Sequence, residues 1–111
     1  MNFNPTEGEV NVIPTRITAH GCEISSMVRT QAEELAQRWP RFDSAVMEVS
    51  FIFGLEGRDH TSEAIVSRRR RQAVVASGQG PDFRVALDDL DCHMKRILRK
   101  DRQKRKDYRN S

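Results

Sequence analysis

Apolar positions follow two different periods in the first half of the chain, and the change of period predicts the first elements. Residues 13–19 alternate as a short strand, which Pro14 confines to a sheet edge or to a late start. The next apolar residues fall three and four positions apart, which predicts a helix that Ser25 or Ser26 caps and Pro40 ends. The apolar face of this helix consists of Val28, Ala32, Leu35 and Trp39.

The middle of the chain has the pattern of a three-stranded meander. Residues 45–53 give the clearest strand signal, because every second residue is apolar and would face one side of a sheet. We predict a turn at 54–59 and two further strands at 60–67 and 72–77, joined by four consecutive arginines at 68–71. The predicted core face of the first of these strands is Ala45, Met47, Val49, Phe51 and Phe53.

A long final helix completes the pattern. Residues 78–81 are rich in glycine and predict a loop, and Asp82 is the expected N-cap of a helix that begins at Phe83. Asp101 and Arg105 occupy positions that should continue its apolar stripe, so the last turns should extend beyond the core as a basic extension. The stripe itself is Phe83, Leu87, Leu90, Met94, Ile97 and Leu98.

The predicted order, β-α-β-β-β-α, defines the fold class. We expect an α+β protein, a two-layer sandwich in which two helices cover one face of a four-stranded sheet. The 111 residues allow one domain, which we place at 13–100, between a flexible leader at 1–12 and a basic helical extension at 101–111. The same layout occurs in double-stranded-RNA-binding domains, but a layout alone is weak evidence of function.

Charge is distributed unevenly, and this changes the functional picture. Residues 1–67 carry five arginines against ten acids, a net charge of −5, whereas residues 68–111 carry fourteen Lys or Arg against six Asp, a net charge of +8. The overall charge of +3 hides this difference. Such an imbalance indicates a polyanionic partner for the C-terminal part of the chain.

Four short stretches, spread over about residues 15 to 106, carry a family resemblance. Their residues are Ile17, Thr18, Glu23 to Ser25, Val28 and Arg29; His60, Glu63 and Ala64; Val75 to Gly78, Asp82 and Ala86 to Asp88; and Arg96 with Leu98 to Lys100. In the order and spacing of these residues, the chain resembles the ribosome hibernation-promoting factor and ribosome-associated translation inhibitor family, in its short, stand-alone form. The resemblance implies a cytoplasmic stress-response protein that binds the 16S rRNA of the small ribosomal subunit and blocks the channel for messenger and transfer RNA.

Cations on the final helix are the main candidates for contacts with rRNA. At 100° per residue they form two stripes, Lys95, Arg99, Arg102 and Lys106 on one flank and Arg96, Lys100 and Lys104 on the other. The alternative is a solvated charged face, but nine cations stand against two acids between residues 95 and 109, which favours phosphate binding. Further candidates are Arg69 and Arg71 in the arginine run and Arg29 in the first helix. For the arginine run, the alternative is a solubilising hairpin tip that protects the sheet from edge pairing.

Several other classes of function are disfavoured. The two cysteines form no C-x-x-C pair, the histidines lack the spacing of zinc ligands, and no nucleophile elbow or phosphate-binding loop is present. We therefore expect no metal, no cofactor, no small-molecule substrate and no enzymatic activity. No stretch is long and apolar enough to suggest a membrane segment. Asp88, Asp89 and Asp91 are interpreted as structural or solvating residues, and Trp39 and Phe42 as core closure.

A second hypothesis remains open beside the ribosomal one. Glu33 and Glu34 make the first helix acidic, and Arg84 stands where the family usually has an aromatic residue. These departures allow a divergent paralogue that acts as a protein-interaction or regulatory module without binding ribosomes.

Overall fold

The structure is a computed structural model that describes residues 12–110, with side chains as far as Asp101. The predicted leader, residues 1–12, lies outside the described residues except for Val12, and its division from the domain stays a prediction. The predicted element order is confirmed. The elements are β1 (Thr15–Ala19), α1 (Ser26–Arg38) followed by a 3-10 turn (Trp39–Arg41), β2 (Val46–Glu56), β3 (Asp59–Arg68), β4 (Arg71–Gly80) and α2 (Phe83–Asn110).

The four strands form one mixed sheet in the order β1-β2-β3-β4. Strand β1 pairs in parallel with β2, so α1 is the crossover between them, and the β2–β3 and β3–β4 pairs are antiparallel. Strand β1 follows Pro14 and lies at an edge of the sheet, which is one of the two alternatives that the sequence predicts. Helix α1 packs over β1 and β2, and α2 packs over β3 and β4. The predicted α+β fold class, with both helices on one sheet face, is confirmed.

The core lies between the sheet and the two helices. Aromatic rings run through it in sequence, with centroid distances of 5.6 Å for Trp39–Phe51, 6.3 Å for Phe51–Phe53 and 5.4 Å for Phe53–Phe83. Such contacts add specific geometry to the hydrophobic free energy of burial. The predicted stripe of α2 faces this core, because Phe83, Leu87, Leu90, Met94 and Leu98 are buried and Ile97 is partly buried.

Two sequence expectations for the strands are wrong. Met47, predicted on the core face, is 49% exposed, because an irregularity between Val46 and Glu48 shifts the register and buries Val46 instead. The predicted loop at 78–81 is strand as far as Gly80. A Cβ on Gly78 would fall 2.9 Å from the Leu90 Cα and closer still to backbone atoms of α2, so glycine there serves close helix packing.

The N-terminus of each helix is capped by a residue that the sequence predicts for this role. Ser25 Oγ accepts a hydrogen bond from the Val28 amide at 3.1 Å, and Asp82 Oδ1 accepts one from the Val85 amide at 2.9 Å. Both side chains thus satisfy amides that the first turn of a helix leaves unpaired. Helix α2 continues to Asn110, twelve residues beyond Leu98, its last buried residue in the described part.

Candidate nucleic-acid interface

One side of α2 carries an open groove between cationic side chains, which we call the helix surface. Its residues follow each other at helical spacing, so their side chains emerge on neighbouring turns. The groove is open to solvent, so it would not enclose a small molecule. The helix surface consists of Cys92, Lys95, Arg96, Arg99 and Lys100.

The four cations of the helix surface differ in how far their charges are already matched. Lys95 Nζ lies 3.4 Å from Asp91 Oδ2, and the Arg99 guanidinium lies over the ring of Phe42, 4.8 Å from its centroid. Arg96 and Lys100 are exposed and form no ion pair within the described residues. Arg96 and Lys100 are therefore the most available phosphate ligands on this surface.

Three predicted contacts lie further along the same helix. Arg102, Lys104 and Lys106 belong to the helical backbone that ends at Asn110, but their side chains lie outside the described residues. Their assignment to rRNA stays a prediction.

The four arginines at the β3–β4 junction separate into an inner and an outer pair. Arg68 and Arg71 are paired across the two strands, and the two residues between them form the connecting turn. Arg69 and Arg70, which we call the arginine turn, are exposed, and the Arg69 amide donates a 2.8 Å hydrogen bond to the Ala45 carbonyl. A two-residue turn, rather than continued strand alternation, therefore decides which arginines reach solvent.

The inner pair is held by two carboxylates. Arg68 Nη1 lies 3.1 Å from Asp43 Oδ2 and 2.8 Å from Asp101 Oδ2. Arg71 Nη1 lies 3.4 Å from Asp43 Oδ2, and its Nη2 lies 3.6 Å from Asp101 Oδ2. The rRNA contacts that the sequence predicts for Arg69 and Arg71 stay predictions. The charge of Arg71 is already matched by Asp43 and Asp101, whereas Arg69 and its neighbour Arg70 are exposed.

Sequence reasoning missed this network. The interrupted apolar stripe indicates that α2 stops packing at Asp101, whereas the carboxylate of Asp101 joins the helix to the two arginines that flank the β3–β4 turn. The available signal was an acid at a position that should continue the core stripe of a basic helix, where a carboxylate shielded from water needs a cationic partner. The partner could not be chosen from the sequence, because Arg68 is one of four adjacent arginines.

The remaining candidates are distributed over α1 and the first half of α2. Arg29 is exposed on α1, where Glu33 and Glu34 are exposed as well. The structural interpretation of three aspartates is confirmed by their hydrogen bonds: Gln31 Nε2 to Asp88 at 3.2 Å, the Gln79 amide to Asp89 at 3.1 Å, and Trp39 Nε1 to Asp91 at 2.8 Å. Trp39 is fully buried, as expected for core closure.

No group of three or more metal-ligating side chains converges within the part of the chain that the structure describes. Over the same residues, no helix is long and apolar enough to cross a membrane.

The fold and the basic surface together define a class, a small α+β protein whose final helix and hairpin turn present cations. The family model of the sigma 54 modulation protein / S30EA ribosomal protein matches residues 15–106. The chain belongs to this family, which confirms the resemblance to ribosome hibernation-promoting factors and makes it a member of a ribosome-associated family.

Two solved structures have a similar fold. A ribosomal subunit interface protein from Coxiella burnetii superposes with a TM-score of 0.75 at 19% sequence identity, covering 82% of this chain and 99% of that one. The N-terminal domain of Protein Y from Thermus thermophilus gives a TM-score of 0.67 at 17% identity, covering 79% of this chain and 96% of that one. No curated protein sequence matches the chain significantly.

Proposed function

We propose that this protein is a cytoplasmic translation inhibitor that binds the 16S rRNA of the small ribosomal subunit and blocks the channel for messenger and transfer RNA. Membership of a ribosome-associated family supports the partner. The structurally similar Coxiella protein is named a ribosomal subunit interface protein, which supports a binding site on the ribosome at the face where its subunits meet. Under stress, such binding would keep ribosomes in an inactive store.

The observation that carries the proposal is the set of exposed cations without ion pairs near the C-terminal part of α2. Arg96 and Lys100 on the helix surface and Arg69 and Arg70 in the arginine turn are of this kind within the described residues. Asp101 forms ion pairs with Arg68 and Arg71, which flank the arginine turn, so the turn lies close to α2. Cations grouped in this way neutralise consecutive phosphates and release their counterions.

Inhibition by this route is steric and needs no cofactor and no bond-making step. Structured RNA hides its base edges in a deep, narrow groove, so the protein would read shape, phosphates and 2′-hydroxyl groups. Cations presented on successive turns of one helix suit this kind of recognition. The specificity should therefore lie in the shape of the ribosomal site rather than in a short RNA sequence.

The salt dependence of binding tests the electrostatic part of the proposal. If about five or six cations contact phosphates, log K for the small subunit should fall with log[salt] at a slope of about −4 to −5. Co-sedimentation of the protein with purified small subunits at several salt concentrations gives this slope. A flat response would remove the RNA interpretation.

A competition experiment tests the proposal that the protein binds a dedicated site on the small ribosomal subunit. A random RNA hairpin, added at equal phosphate concentration, should displace the protein from small subunits only weakly, because an isolated duplex offers the charges without the shape. If the hairpin competed as well as intact subunits, a dedicated ribosomal site would be refuted.

A second candidate function rests on the acidic character of α1. Glu33 and Glu34 are exposed together on one helix, which would weaken phosphate binding there and would suit a basic protein partner. In that case the domain would be a protein-interaction module that has kept the family fold. Failure of the pure protein to sediment with ribosomes at low salt would favour this candidate over the first.

A further inference from the structure

A compact network of charged side chains joins three parts of the fold. Asp43 lies before β2, Arg68 and Arg71 flank the β3–β4 turn, and Asp101 lies on α2. The Asp43 side chain is fully buried and the Arg68 side chain is 4% exposed, whereas those of Arg71 and Asp101 are 22% and 27% exposed. Asp43 Oδ1 also accepts a hydrogen bond from the Ala45 amide at 2.9 Å. Within the described residues, the network thus joins two acids to two bases.

Stability alone is a poor reason for such a network. The desolvation of buried charges offsets most of their mutual attraction, and an apolar replacement of similar volume is often as stable or more stable. What a guanidinium contributes is fixed geometry, because its planar donors leave little freedom to the groups it joins. Arg68 Nη1 contacts the carboxylates of both Asp43 and Asp101, which belong to different segments of the chain. Its Nε donates a 2.8 Å hydrogen bond to the Gln72 carbonyl.

The location of Asp101 makes its charge informative. It follows Lys100 directly in the sequence, but its carboxylate lies on the side of α2 that faces the sheet, where its partners Arg68 and Arg71 flank the arginine turn. A carboxylate at this position reduces the attraction of the surface for a polyanion. Its electrostatic effect therefore opposes phosphate binding, while its contacts fix the two cationic groups relative to each other.

We infer that Asp101 is a positioning residue: through Arg68 and Arg71 it holds the arginine turn against α2, so that the turn and the helix surface form one rigid, two-part phosphate-binding surface. The inference rests on the proposed function and adds a geometric requirement to it. The turn is fixed at its other side by the hydrogen bond from the Arg69 amide to the Ala45 carbonyl. A rigid pair of cationic groups recognises one spacing of phosphates, whereas a loose pair binds any polyanion.

The substitution Asp101→Asn separates positioning from charge, because the two effects have opposite signs. The variant gains one positive charge, so its affinity for heparin, a polyanion without the ribosomal shape, should rise. Its affinity for small ribosomal subunits should fall roughly fivefold to tenfold, as expected when one member of a coupled network is removed. Both affinities are measured at the same salt concentration, and a melting curve establishes that the variant is folded at the assay temperature.

Two further variants serve as controls. Asp88→Asn makes the same charge change on the same helix and retains an oxygen to accept the hydrogen bond from Gln31, so both affinities should stay equal or rise. Arg71→Lys preserves the net charge but replaces a fork that spans Asp43 and Asp101 with one ammonium group. It should lower the affinity for subunits several-fold without changing the affinity for heparin, and it tests the inference even if Asp101→Asn proves unfolded.

The inference is overturned if Asp101→Asn tightens binding to subunits as much as binding to heparin, if it weakens both equally, or if Arg71→Lys leaves the affinity for subunits unchanged. Each of these results concerns the variants. If instead the wild-type protein fails to sediment with small subunits, it is the proposed function that fails.

Discussion

Replacing Gly78 with alanine should displace α2 from the sheet. The added Cβ would fall 2.9 Å from the Leu90 Cα, and closer to the Leu90 nitrogen and the Ala86 carbonyl oxygen, all of which are backbone atoms that no rotamer change can remove. Overpacking of this kind costs about 1–3 kcal/mol, and the conformational gain of alanine over glycine in a strand returns at most about 1 kcal/mol. We expect a net loss of about 1–2 kcal/mol, which lowers the melting temperature by roughly 4–12 °C.

Gly54→Ala is the matched control for this prediction. Gly54 also lies within a strand, but its added Cβ would meet only the Thr61 Oγ1 at 3.3 Å, and that atom belongs to a side chain that can move. Its melting temperature should stay within about 3 °C of the wild type, since the expected change is below roughly 0.5 kcal/mol. Thermal melts followed by circular dichroism give both values. Equal melting temperatures for the two variants would refute the close approach of α2 to β4.

Two other changes test the core and the arginine turn. Trp39→Phe removes a fully buried indole and its 2.8 Å hydrogen bond to Asp91, so the free energy of unfolding measured by urea titration should fall by about 2–3 kcal/mol; a loss below about 1 kcal/mol would contradict the burial of the indole in the core. Arg70 has a φ of +60°, which favours glycine, so Arg70→Gly should raise stability by up to about 1 kcal/mol while weakening binding to small subunits. Gains in both stability and binding would exclude Arg70 from the interface.

The order of the elements could be predicted from the sequence because each one carries its own period and end signals. The alternation around Phe51, the helical spacing before Trp39 and the cap at Asp82 are local signals, and the folded structure agrees with each of them. The errors came from tertiary contacts. Gly78 predicts a loop when its neighbours in sequence are considered alone, but its real environment is the backbone of α2.

The candidate site was predictable in part for the same reason. Helical periodicity was enough to place Arg96 and Lys100 on one helix, and both are exposed. Periodicity could not distinguish the four consecutive arginines, because the turn type decides which pair points inwards. Nor could it show that Asp43, about 60 residues before Asp101 in the sequence, shares a cation with it.

The exposed cations of α2 are the proposed ribosome-binding groups, and charge reversal with co-sedimentation tests this role most directly. Arg96→Glu with Lys100→Glu is preferred to a change at Arg99, which also packs over Phe42. The control, Arg16→Glu with Arg58→Glu, reverses the same number of exposed arginine or lysine charges away from the helix surface. Both pairs should melt within a few degrees of the wild type, since exposed substitutions change stability by about 0.5 kcal/mol or less each.

In a sucrose gradient with small ribosomal subunits, the wild-type protein and the control should migrate with the subunits. The Arg96→Glu, Lys100→Glu variant should remain at the top of the gradient, because the loss of two phosphate contacts and the addition of two repulsive charges lower the affinity by at least about tenfold. If this variant still migrated with the subunits while the control did not, the ribosome-binding surface would lie elsewhere on the domain, and the assignment of that role to α2 would be wrong.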